Sequence, residues 1–306
     1  MNVLVTGGAG FIGSNLVDVL LARGDSVRVL DDLFSGSKEN LDPSVELVVG
    51  SVADEKLVRE AAEGCEVLFH LAAHRAVPRS VENPLGTDLA NVHGSLAVLV
   101  AAKDVGARRV VSASSSSVYG GAEQLPTPET APLVPRSPYA VSKVAGEQYG
   151  RVFYELFGLE TVSLRYFNVY GPRQRPNSAY AAVIPLFIDA LKTGAKPIVH
   201  GDGRQTRDFT YVSDAVAGTL AASEAPAERC AGRAYNIAPG ATHSLLDLLA
   251  VLGRILEVEP DPEFTAERAG DVRQAQADPS AAARDLDFRC GVDLEDGLRR
   301  TVEWFA

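Results

Sequence analysis

The apolar residues of the chain fall into two alternating patterns. Short runs rich in valine and leucine, at 2–6, 26–30, 46–49, 67–71, 109–113 and 161–165, read as strands. Between the first two, Ile12, Leu16, Val19 and Leu20 recur at helical spacing. Strands separated by amphipathic helices predict an α/β fold with a doubly wound parallel sheet and helices on both faces. Two longer segments, 85–103 and 138–157, carry the same helical period. From about Asn168 the texture changes, as Pro172, Pro176 and Pro185 and then Gly201-Asp202-Gly203 mark irregular connections. The expected organisation is a larger domain over 1–166, to which the chain returns at about 212–238. A second, smaller α/β domain is expected from 167–211 and 239–306, its loops suited to ligand contacts.

Composition narrows the possible partners. The 306 residues are 46% hydrophobic and 23% charged, which fits a folded globular protein. A formal net charge of -11 argues against nucleic acid or an anionic membrane as partner. Any anionic ligand must then meet a local cationic pocket. Cys65, Cys230 and Cys290 are widely spaced, so neither a disulfide framework nor a metal site is expected, and a reducing cytoplasm is. The apolar start runs straight into glycines without a signal-peptide pattern, and no apolar run in the sequence reaches the length of a membrane span.

The first strand leads into Thr6-Gly7-Gly8-Ala9-Gly10-Phe11-Ile12-Gly13 and then into the first helix. Glycine allows a tight turn and close approach to a pyrophosphate, and the helix N-terminus offers free N–H groups at its positive end. A dinucleotide is therefore expected over Gly7, Gly10, Phe11, Ile12 and Gly13, as in a Rossmann domain. Asp31 ends the second strand, where a carboxylate accepts from ribose hydroxyls and repels a 2′-phosphate. With Asp32 next and no arginine just after it, NAD is expected over NADP.

Further along, Ser137-Pro138-Tyr139-Ala140-Val141-Ser142-Lys143 opens a helix, with Pro138 in its first turn. Tyr139 and Lys143 are four apart and share a helical face. A free tyrosine has a pKa near about 10 and is a poor base at neutral pH. A nearby ammonium, with the positive nicotinamide of NAD, favours the phenolate and makes it a general base for a hydroxyl proton. The serine run Ser114 to Ser117 follows an apolar strand directly, so its hydroxyls are expected at the ligand crevice.

Taken together, these motifs resemble the extended short-chain dehydrogenase/reductase family, and most closely its UDP-sugar 4-epimerases. The resemblance runs through TGGAGFIG at 6–13, DDL at 31–33, HLAA at 70–73, NVHG at 91–94, SSSSVYG at 114–120 and SPYAVSK at 137–143. It continues in LRYFNVYGPRQ at 164–174, GDGRQTRDFTYVSD at 201–214 and RAGDV at 268–272. It implies that Tyr139 is the base, Lys143 its partner and a ligand of the nicotinamide ribose, and Ser115 the catalytic serine, with Ser116 the next candidate at the sugar. Further implied cofactor contacts are Val52, Leu71, Ala72, Arg75 and Tyr166, Arg75 falling where related epimerases place a lysine near the pyrophosphate. Asn168, Arg207, Arg268 and Asp271 fall on UDP-binding positions, and the two arginines would supply the cationic pocket the acidic chain needs. One departure is Gly50-Ser51-Val52, where the family has an aspartate for the adenine amino group. A serine accepts that hydrogen bond without charge assistance.

The residues before the Val118-Tyr119-Gly120 motif separate the family's reactions. Dehydratases resemble one another in placing Asp-Glu there, and UDP-glucuronate decarboxylases place a Glu in the second position. This chain has Ser116-Ser117, so elimination lacks its base, and transient oxidation at C4 with return to the opposite face is the expected reaction. Ala275, in the segment after the UDP-binding arginine, falls where bulky aromatics restrict the hexose pocket, so 2-acetamido sugars are expected alongside UDP-glucose and UDP-galactose. UDP-glucuronate epimerisation, another nucleotide-sugar dehydratase or reductase, and a non-catalytic NAD sensor are the alternatives. The resemblance also implies a homodimer paired through the 85–103 and 138–157 helices.

Overall fold

The structure, a computed structural model, describes residues 1–175, 182–267 and 272–305. Among them, seven parallel strands form the main sheet. They are β1 (Asn2–Thr6), β2 (Ser26–Asp31), β3 (Glu46–Val49), β4 (Val67–His70), β5 (Arg109–Ser115), β6 (Glu160–Tyr166) and the returning strand Arg233–Ile237. Their spatial order is Arg233–Ile237, β6, β5, β4, β1, β2, β3. Both faces are covered, so alternate residues of one strand enter different cores. Val3 and Val5 pack with Leu16, Leu20 and Ile237, while Leu4 packs with Val58, Leu68 and Val98 on the other side. Strand order reverses between β1 and β4, so their connections diverge and open a crevice beyond Thr6 and His70.

A third apolar cluster centres on Phe187, Ile188, Leu248, Leu252 and Leu298. Helices Val183–Thr193, Leu245–Leu256 and Leu294–Trp304 build it beside short strand pairs. The Leu245–Leu256 helix starts on a capping box, Ser244 and Asp247 satisfying each other's backbone N–H groups. This smaller lobe closes the crevice from the other side.

Two elements differ from the sequence expectation. β5 continues past residue 113 through Ser115, because its pairing with β6 persists as Ser114 opposite Arg165 and Ser115 opposite Tyr166. The 85–103 helix is interrupted: Pro84–Asp88 and Gly94–Asp104 are joined by a π turn over Leu89–His93. Asn91 in that turn accepts from His74 N at 2.7 Å and donates to the His74 carbonyl at 3.2 Å, so the widened turn serves a side chain that apolar spacing does not register. Taken as one, Pro84–Asp104 contains an 18-residue window of mean hydropathy 1.2, long and apolar enough to cross a membrane by length and composition only, a test that the core helix of a soluble protein also passes. Half of that window is buried inside the protein.

The Pro138–Phe157 helix has the expected bounds. Ser137 accepts from Ala140 N, Pro138 supplies a first-turn residue that needs no acceptor, and Gly158 ends the helix at φ 70°. At the amino end of β5, Arg109 is 1% exposed. It donates to Glu160 at 2.7 Å and to the carbonyls of Ala222 and Ala225 at 2.9 and 2.7 Å, fastening the Val212–Glu224 helix to the sheet. Arg109→Ala leaves those acceptors unpaired and should lower unfolding stability by about 3 kcal/mol, read from urea denaturation by circular dichroism.

Candidate active site

A cavity of about 710 Å³ runs along the carboxyl ends of the strands between the two lobes. Every candidate residue within the described segments lines it: Gly7, Gly10, Phe11, Ile12, Gly13, Asp31, Val52, Leu71, Ala72 and Arg75 toward one end, Ser115, Ser116, Tyr139, Lys143 and Tyr166 in the middle, and Asn168, Arg207 and Ala275 toward the other. Arg268 and Asp271 lie outside the described residues.

The glycine loop is shaped by close backbone contacts. Gly7 has φ 72°, and a Cβ there would lie 2.6 Å from Ala72 N. A Cβ on Gly13 would meet the Gly7 carbonyl at 2.2 Å, so only glycine lets the helix start so near the loop. Helix Phe11–Ala22 has Gly10 as N-cap with no side-chain cap, leaving its first amides turned to the cavity for a pyrophosphate. Asp31 is buried and accepts from Ala9 N at 2.9 Å and Leu33 N at 2.8 Å, which aligns its carboxylate at the end of β2. Burial raises its pKa, the two amides opposing that rise. A glycine cradle, free helix amides and an oriented carboxylate fit a dinucleotide. Ser51 lines the same end, its hydroxyl accepting from Ala53 N at 3.1 Å.

At the centre, burial pushes the Tyr139 hydroxyl above its usual value, while a hydrogen bond with Ser115 and the charge of Arg75 pull it down. Lys143 Nζ donates to the Ala113 carbonyl at 2.8 Å and lies 5.8 Å from the Tyr139 ring centroid. Burial brings the Lys143 ammonium down to about 8, Glu147 opposing. The sequence reading gave the task of favouring the phenolate to the ammonium and the positive nicotinamide of NAD. In the fold Ser115 and Arg75 share it, and Arg75 stands within electrostatic reach of Tyr139. Tyr166 lines the cavity with its hydroxyl committed to Thr219 at 2.7 Å.

At the far end Arg207 sits on Thr206–Asp208, paired antiparallel with Thr242–Ser244. Ala275 N donates to the Thr206 carbonyl at 3.2 Å, bringing the segment after residue 272 alongside. Asn168 adopts φ 34°, a strained backbone for a non-glycine residue, and its amide donates to the Asp208 carbonyl at 3.1 Å. Strain held by a second contact is expected where a side chain must be aimed at a ligand.

Sequence reasoning missed several supporting groups. His70 is buried between Thr6 Oγ1 at 2.8 Å and Ser95 Oγ at 2.9 Å. Burial, with help from the Lys143 charge, holds its pKa down to about 3, so it stays neutral. Asn91 also donates to Ser142 at 3.0 Å, tying the π turn to the Tyr139 helix. Both lie in quoted motifs, HLAA and NVHG, whose polar residues were the available signal. Phe34 stacks on His74 at 4.4 Å between centroids and carries the Arg79 guanidinium at 4.7 Å, beside Asp31 and Asp32. No spacing rule points to that stack.

The chain matches the NAD dependent epimerase/dehydratase family over residues 3–238. It is 40% identical over 312 residues to a UDP-glucose 4-epimerase of Mycolicibacterium smegmatis, covering 100% of this chain and 98% of that protein. Among solved structures it is similar to the UDP-glucose 4-epimerase of Thermotoga maritima with UDP-glucose, at TM-score 0.96 and 37% identity, covering 100% of this chain and 98% of the other. It is also similar to a UDP-N-acetylglucosamine 4-epimerase of Methanobrevibacter ruminantium in complex with UDP-N-acetylmuramic acid, at TM-score 0.94 and 38% identity, covering 99% and 97%.

Asp208, beside Arg207, is fully buried and accepts from Ala277 N at 3.0 Å; burial raises its carboxyl to about 7. The fold therefore favours the protonated form. Its contribution is complete below the ordinary value of 3.8 and is lost as pH rises through about 7. Urea midpoints should fall between about pH 5 and 8 in the wild type, and Asp208→Asn should flatten that fall.

Proposed function

The chain belongs to the NAD-dependent epimerase/dehydratase family, and within it we propose a 4-epimerase of UDP-hexoses. The observation that carries this reading is the centre of the cleft. Tyr139, Ser115 and Lys143 line it together, Lys143 Nζ 5.8 Å from the Tyr139 ring and Ser115 lowering the Tyr139 hydroxyl pKa, and Ser116 and Ser117 line the wall next to them. Among the described lining residues the only carboxylates are Asp31 and Asp32, at the opposite end. Elimination needs a base for the C5 proton, and epimerisation needs none beyond Tyr139.

Bound against the glycine loop, NAD supplies a reversible two-electron oxidant for C4 of the sugar. Gly7, Gly10 and Gly13 admit its pyrophosphate, Asp31 its adenosine ribose, and Lys143 its nicotinamide ribose. Tyr139 takes the C4 hydroxyl proton, with Ser115 hydrogen-bonded to the same oxygen, and later returns it. Arg207, Asn168, Arg268 and Asp271 hold the UDP, so the diphosphate stays anchored while the 4-keto hexose turns. Gly121, Ala122 and Ala275 leave room for that turn and for a 2-acetamido group. The small Ala275 side chain supports UDP-N-acetylglucosamine and UDP-N-acetylgalactosamine as substrates beside UDP-glucose and UDP-galactose.

Exposed apolar side chains on neighbouring helices, among them Leu85, Leu89, Val141 and Phe157, support pairing with a second copy of the chain. Sedimentation of the purified protein should give a dimer, and Leu85→Glu with Val141→Glu should give a monomer.

The activity is tested by incubating the protein with a panel of UDP-sugars and reading products by NMR. C4 epimers are expected from UDP-hexoses; an inert panel, or elimination products, would refute the reading. Tyr139→Phe should retain fold and NAD and lose at least about 100-fold in kcat. Full activity in that variant contradicts the assigned base.

A further inference from the structure

The last three residues of β5 hold three residues spaced four apart on the Pro138–Phe157 helix. The Ala113 carbonyl accepts from Lys143 at 2.8 Å, the Ser114 hydroxyl donates to Glu147 at 2.5 Å, and Ser115 draws the Tyr139 hydroxyl pKa down. Glu147 is 7% exposed, yet it touches neither the cavity nor bulk solvent to any useful extent. Its two oxygens accept from Arg165 Nε at 2.9 Å and Nη2 at 2.7 Å, and Arg165 faces Ser114 across the β5–β6 register. The remaining Arg165 donors reach the Tyr119 hydroxyl at 2.8 Å and the Glu129 carbonyl at 3.0 Å.

A buried ion pair is weak evidence for stability, since apolar residues of similar volume commonly do as well. Its charges therefore call for another account. Glu147 lies one helical turn beyond Lys143 and acts on its ammonium, opposing the effect of burial. Among the described residues Glu147 is the one charge that acts on the Lys143 ammonium. His70, on β4, is held neutral, Arg75 is cationic and acts on Tyr139, and Arg165 is cationic and bound to Glu147 itself.

Building on the reading of Tyr139 as the base, we propose that Glu147 is a positioning residue. It keeps Lys143 charged beside Tyr139 and, through Ser114 and Arg165, holds the 139–143–147 face in register with the end of β5. Loss of its charge deprives Lys143 of its anionic neighbour. The ammonium then loses its proton at lower pH, and the phenolate loses support.

The direct test is the titration of Lys143 by NMR in protein carrying carbon-13 at the lysine ε position, the resonance assigned through Lys143→Arg. In Glu147→Gln, Lys143 should titrate about one pH unit lower than in the wild type. Glu147→Asp should recover most of the shift. With UDP-glucose, the alkaline limb of the kcat profile in Glu147→Gln should move in the same direction, with KM within about twofold. A Lys143 titration unchanged in folded Glu147→Gln overturns the proposal, whatever happens to the melting temperature. Should that variant not fold, Glu147→Gln with Arg165→Met leaves no buried orphan charge. The same downward shift is expected there, and its absence equally overturns the proposal. The titration needs no substrate, so an inert wild-type enzyme would sink the epimerase reading while Glu147 is still judged by NMR.

Discussion

The attachment of the Pro138–Phe157 helix to the end of β5 is the constraint on which the site depends. Parallel strands buried on both faces leave polar groups at their carboxyl ends that must find partners inside the protein. Here Ala113, Ser114 and Ser115 find them on one helical face, and two of those partners are Lys143 and Tyr139. Satisfying the sheet and aiming the reactive side chains are one arrangement. The glycine loop meets the same demand from β1: close contacts at Gly7 and Gly13 set the start of the first helix, whose free amides face the same crevice.

The electrostatics follow from burial. Taking Tyr139 and Lys143 out of water raises one pKa and lowers the other, so each departs from the charge state that catalysis needs. Ser115, Arg75 and Glu147 oppose those shifts from three directions. An acidic chain therefore brings cationic groups to the cavity wall, Arg75 within electrostatic reach of Tyr139 and Arg207 toward the far end.

Much of this was legible in the sequence because it is local. The 138–157 helix carries its own start and stop signals, Ser137-Pro138 and Gly158, and its observed bounds agree with the pattern. The strand-to-helix glycine loop and Asp31 are likewise short-range features whose meaning comes from the adjoining elements. What escaped the reading depends on long-range contacts. The π turn exists because Asn91 bonds the backbone at His74, and β5 reaches Ser115 because β6 keeps pairing with it. Glu147 drew no notice beside Tyr139 and Lys143, because an isolated glutamate on a helix is ordinarily a solvated side chain. Only Arg165, arriving from β6, makes it a buried charge.

In the proposed reaction C4 of a UDP-hexose is oxidised and re-reduced within one active site, using a cofactor that does not leave. Its most direct measurement is turnover of UDP-glucose carrying deuterium at C4 in ordinary water, followed by NMR of the product. UDP-galactose with deuterium retained at C4 and no label in the solvent is expected. Loss of the label to water, or a product missing water across C5 and C6, would contradict it.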